Sequence, residues 1–89
     1  MEPIQLPIED RLDLHTFRPG EVPDLLDDYF GECVAAKIFS VKIIHGKGTG
    51  SLKRRVHSLL ERHPLVAEFR DAPPEAGGWG ATLVDLRRP

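Results

Sequence analysis

The sequence predicts an α/β fold: a two-layer sandwich in the order β-α-β-α-β-β, with a mixed four-stranded sheet and both helices on one face. Three observations predict it. Residues 22–34 and 52–60 carry apolar side chains at helical spacing. Short alternating or β-branched segments flank those stretches at 11–15, 39–44, 66–70 and 81–86. A loop rich in proline and glycine, 71–80, separates the last two of them. Right-handed β-α-β crossovers then place both helices on the same side, and the last two strands pair antiparallel.

Taken in order, residues 1–9, with Pro3 and Pro7, read as an extended arm, and residues 10–89 as one domain. Arg11 to His15 reads as a strand, with Leu12 and Leu14 on one face and Asp13 and His15 on the other. Val22, Leu25, Leu26, Tyr29, Phe30, Cys33 and Val34 make the apolar stripe of the first helix. Pro23 would break an intrahelical bond if the helix began at Pro19, so the regular helix begins nearer Pro23. Gly31 inside it is costly, and close packing against a neighbour would be a reason for it.

Phe39 to Ile44 is the second strand and runs directly into His45-Gly46-Lys47-Gly48-Thr49-Gly50. Leu52, Val56, Leu59 and Leu60 mark the second helix, which stops at His63-Pro64. Val66 to Arg70 and Ala81 to Leu86 complete the sheet.

A chain of 89 residues with 40% hydrophobic and 29% charged content is globular. No apolar run is long enough to cross a bilayer, and the acidic start is not that of a secretory signal peptide. Cys33 has no partner cysteine within the chain, which fits a reducing compartment, the cytoplasm. The net charge of −2 hides an asymmetry. In residues 1–32 the only cations are Arg11 and Arg18, whereas in 42–63 the only acid is Glu61. Phosphate contacts are local, so the basic half is the one suited to nucleic acid.

Ligands of parallel α/β sheets gather at the carboxyl ends of the strands. Asp13 and His15 leave the same strand face there. Three roles fit the pair: proton transfer by an oriented imidazole, a divalent ion held by Asp13, or a structural turn. The segment 45–50 carries three alternate glycines and opens onto a helix N-terminus, where free amides favour an anion. Lys47 adds charge to it. Lys53, Arg54 and Arg55 sit in the first turns of that helix, where cations oppose the dipole. A bound phosphate would offset that repulsion. By alternation His45 is in phase with Val41 and Ile43, so it joins Asp13 and His15 only if the chain turns at Ile44-His45. That turn is expected here. Trp79 and Phe17 can stack on bases or pack against the fold. The spacing of a nucleotide P-loop, of a dinucleotide fingerprint and of a zinc site is absent.

Leu12-Asp13-Leu14-His15, the segment HGKGTGSL at 45–52 and the segment GGWGATLVDL at 77–86 together resemble the three signatures of the Smr domain, the small domain found at the end of MutS2-type proteins and also alone. The resemblance covers roughly residues 10 to 87. It implies a fold similar to the C-terminal domain of bacterial translation initiation factor three. It further implies nucleic-acid binding and, in several members, DNA nicking or RNA cleavage. Carried over by position, it implicates Asp13, His15, His45, Gly46 and Gly48. Thr16 stands where the family often has glycine, and Arg18 where a Ser or Thr helix cap is common.

The expected activity is an endonuclease on DNA or RNA, with Asp13, His15 and His45 catalytic. Phosphate would be held by Gly46, Lys47, Gly48, Thr49, Gly50, Lys53, Arg54 and Arg55. Mg²⁺ or Mn²⁺ is the candidate cofactor, at Asp13. Protein partners would be repair or ribosome-associated proteins. The alternative is a non-catalytic RNA- or ribosome-binding module using the same basic surface.

Overall fold

Alternation along each strand decides which side chains are buried, and the buried set lies on one face of one sheet. The computed structural model describes residues 8–89. Its elements are β1 (Arg11–Asp13), α1 (Val22–Ala35), β2 (Ser40–Ile44), α2 (Ser51–Arg62), β3 (Val66–Asp71) and β4 (Ala81–Leu86). This is the expected β-α-β-α-β-β order. Most of the expected arm, residues 1–7, lies outside the described residues. At Glu9 the backbone carbonyl accepts a bond from the Tyr29 hydroxyl at 2.6 Å.

The sheet order is β1-β2-β4-β3. β1 runs parallel to β2, while β4 is antiparallel to both β2 and β3. The sheet is therefore mixed, as the alternation and loop lengths predict. The last strand inserts between β2 and β3 and becomes central. Leu14, Ile43 and Val84 from the sheet, Leu26 and Phe30 from α1, and Val56 and Leu60 from α2 are each at most 1% exposed. They belong to one cluster that joins both helices to the same sheet face. Burying each such side chain contributes about 1.5–3 kcal/mol.

Pro19–Glu21 forms a 3₁₀ turn, and α1 begins at Val22. Pro23 thus falls in the first turn, where amides lack intrahelical partners and a missing N–H costs nothing. Beyond β1 the ladder continues through the Leu14 amide, which donates to the Ile44 carbonyl at 2.8 Å. That bond fixes the end of the first motif against the start of the second.

Gly31 does not serve close packing. A β-carbon there would meet nothing within 4 Å, and the residue is exposed on α1. Its φ is not among the positive values. Gly31→Ala should therefore stabilise the chain by about 0.5–1 kcal/mol, by removing backbone entropy from the unfolded state. Thermal unfolding should show a midpoint raised by a few degrees. A lowered midpoint would mean that a methyl group at Gly31 disturbs the helix or a neighbour.

Candidate functional site

Leu14 is wholly buried, so its neighbours Asp13 and His15 are turned outward together. The Asp13 Oδ1 atom accepts hydrogen bonds from the ring Nδ1–H of His15 at 2.7 Å and from the backbone amide of His15 at 3.0 Å. The amide bond, then the ring bond, hold the Asp13 carboxyl below the ordinary carboxylate range. Asp13 is thus ionised at neutral pH and takes the Nδ1 proton as its partner. The His15 side chain remains 69% exposed, and its Nε2 is the ring atom left for exchange with a ligand.

The second motif is held from the other side by the Gly77–Gly80 segment. Both the His45 and Gly46 amides donate to the Gly80 carbonyl, at 3.1 and 2.9 Å. Gly46 has φ +81, and Gly50, the residue that opens α2, has φ +85. Both values favour glycine. A β-carbon on Gly50 would also come within 3.1 Å of the Trp79 ring. The result is a cleft of about 340 Å³ lined by His15, Phe17, His45, Gly48, Thr49 and Arg55, among others.

The fold brings His15, His45, the glycines and Arg55 to this cleft, while Asp13 supports His15 from behind and does not line it. Lys47 and Arg54 are exposed outside it. Two expectations need correction. The chain does not turn at Ile44-His45. Alternation continues, so His45 is only 5% exposed and bonds to Thr82 rather than to Asp13 or His15. Lys53 is not a free cation at the helix start. It is buried, with its ammonium 3.0 Å from Asp71 and 4.5 Å from the Trp79 ring centroid. Among the described residues no group of three or more His, Cys, Asp or Glu side chains could hold a metal. Asp13, the expected ligand of a divalent ion, contributes one carboxylate, whose Oδ1 accepts hydrogen bonds from the ring and the amide of His15.

The pattern of the Smr domain matches residues 12–87. The chain belongs to the Smr domain family. It is 40% identical over 80 residues to the endonuclease MutS2 of Staphylococcus saprophyticus, covering 90% of this chain and 10% of that protein. It is 42% identical over 80 residues to the endonuclease MutS2 of Halalkalibacterium halodurans, with the same coverage. The chain thus spans about a tenth of the length of the curated relatives it matches. The Smr domain of Thermus thermophilus MutS2 superposes with a TM-score of 0.83 at 35% identity, covering 89% of this chain and 99% of that one. YdaL of Escherichia coli, a stand-alone small MutS-related protein, does so with a TM-score of 0.81 at 28% identity, covering 92% of this chain and 67% of that one.

Beneath the cleft this Smr domain carries a polar network that the reading of the motifs missed. The Thr82 hydroxyl, wholly buried, lies 2.8 Å from Nε2 of His45 and 2.8 Å from Nε2 of His57. His45 Nδ1 is 3.1 Å from the Gly46 carbonyl. A carbonyl only accepts, so Nδ1 of His45 carries the proton and its Nε2 accepts from Thr82. The single hydroxyl proton is then used, and His57 donates its Nε2–H to Thr82. Asp71 stands 3.9 Å from His57. The available signal was Thr82 itself, a polar residue in phase with Val84 and Leu86 on the buried face of β4.

Thr82→Val keeps the shape but leaves two imidazole nitrogens without a partner. It should cost about 1–3 kcal/mol in chemical denaturation, whereas Thr82→Ser should cost less. Equal stability of Val and wild type would show that the Thr82 hydroxyl bonds do not stabilise the fold.

Burial pushes the pKa of both His45 and His57 down. The unfolded chain protonates these rings near pH 6.5 while the native state keeps them neutral. Their contribution to stability is full above that value and is lost as pH falls through their folded-state values. The denaturant midpoint should decline from pH 7 to pH 5, and decline less in His57→Gln. An identical pH slope in the variant would exclude His57 as a source.

Proposed function

We propose that this Smr domain binds nucleic acid through the glycine loop and its basic flank, and cleaves a phosphodiester bond with His15 as the proton-transfer group. The observation that carries the reading is the exposed 2.7 Å Asp13–His15 pair, its carboxylate ionised, at a cleft whose other wall is the glycine-rich N-terminus of α2. Free amides there favour phosphate oxygens, and Arg54 and Arg55 add charge. His15 takes a proton through Nε2 from the attacking oxygen, a water or an RNA 2′-hydroxyl. The attacking oxygen bonds to phosphorus as the bond from phosphorus to the leaving oxygen breaks, and the leaving oxygen takes a proton from water. Asp13 holds the ring and offsets its charge. His45, neutral and bonded on both nitrogens, shapes the loop instead of moving protons. The endonuclease names of the MutS2 relatives agree with this reading.

Cleavage of labelled RNA and of supercoiled or branched DNA, each with EDTA, Mg²⁺ or Mn²⁺, tests it. Asp13→Asn and His15→Ala should each slow cleavage by roughly 10²–10⁴-fold. The double variant should be little worse than the slower single one. Affinity should hardly change in these variants. If about three phosphates of duplex DNA are contacted, log K should fall with log salt at a slope of about −3. A parent that binds but cuts no substrate would replace the nuclease with a non-catalytic RNA- or ribosome-binding module.

A further inference from the structure

Phe17 and Trp79, 38% and 47% exposed, are the large apolar side chains left open to solvent among the described residues. They line two grooves that share residues at the end of the glycine loop. Phe17 lines the cleft with His15, Gly48 and Arg55. Trp79 lines a second groove with Lys53, Arg54, Ser58 and Glu61. Thr49, Gly50 and Lys53 line both, so the two grooves meet at the end of the glycine loop. An aromatic ring thus borders the loop on each flank.

Trp79 is fixed in place without being covered. The Lys53 ammonium sits 4.5 Å from its ring centroid and is itself anchored to Asp71 at 3.0 Å. Gly50 leaves the room that the ring's edge occupies, since a β-carbon would lie 3.1 Å from it. The ring is thus braced at the surface, in one groove with exposed Arg54.

We infer that the ligand of this surface is single-stranded nucleic acid, with one base stacked on Trp79, another on Phe17, and the phosphate between them on the loop. The inference rests on the phosphate-binding reading of the loop and adds the strandedness of the substrate. In a duplex the bases are stacked on each other and present only edges. In a single strand the faces are free, and any base can stack on an aromatic ring.

Trp79 is the single tryptophan of the chain, so its intrinsic fluorescence reports the contact directly. The full chain would be titrated with an oligonucleotide of about eight residues as RNA and as DNA, the abasic oligomer of equal charge, and the duplex. Base-bearing strands should quench Trp79 and bind roughly tenfold or more tightly than the abasic oligomer and the duplex. Either sugar supports the inference, and the tighter of the two identifies the natural ligand. By fluorescence anisotropy of labelled strands, Trp79→Ala and Phe17→Ala should each erase much of that preference. They should leave abasic binding nearly unchanged and the chain folded, with a modest fall in the Trp79→Ala midpoint as Lys53 loses its ring contact, and Trp79→Phe should retain most of the preference. Equal binding of abasic and base-bearing strands without quenching overturns the stacking inference and leaves the phosphate reading intact. Preference for the duplex also overturns it. No binding of any oligomer at low salt overturns both.

Discussion

The Thr82 hydroxyl has no access to solvent, and the imidazoles of His45 and His57 compete for its one proton. Only one assignment satisfies all three groups and the Gly46 carbonyl. A buried polar group without a partner is expensive, so that assignment ties the end of β2, the start of β4 and the middle of α2 into one arrangement. The glycine loop begins at His45 and returns at Gly50 to open α2. Its two ends are thus fixed by the network below, and its middle is free to face a ligand. The same loop is braced from behind by the Gly80 carbonyl, two residues before Thr82 in the same strand region. The motif at 77–86 thus supports the motif at 45–52 through the backbone.

The cations of the α2 N-terminus divide into two kinds. Lys53 faces inward and is neutralised by Asp71 and the Trp79 ring, so the fold itself relieves its conflict with the helix dipole. Arg54 and Arg55 face outward and are exposed. The exposed cations of the loop and the helix start are therefore Lys47, Arg54 and Arg55. Lys53 is held between Asp71 and the Trp79 ring. The same distinction applies to the histidines. His15 is exposed and bonded on one nitrogen, which suits proton exchange, while His45 is buried and bonded on both.

The sequence by itself determined the elements and the two surface motifs, because those are local. Helical spacing set α1 and α2, alternation set the faces of β1 and β2, and a D-x-H on a strand necessarily shares one side. Alternation even placed His45 on the core face, against the turn that was expected in order to bring it to Asp13. The relations between distant segments were decided by tertiary structure alone. Nothing local says that β4 inserts between β2 and β3, and that insertion is what brings Thr82 beside Ile43 in the register and within reach of His45. Asp71 meets Lys53, and Trp79 meets Gly50, because β3 and the loop after it fold back over the start of α2. Such contacts depend on chain closure over tens of residues, and hydrophobic periodicity carries no record of which polar groups it will bury together.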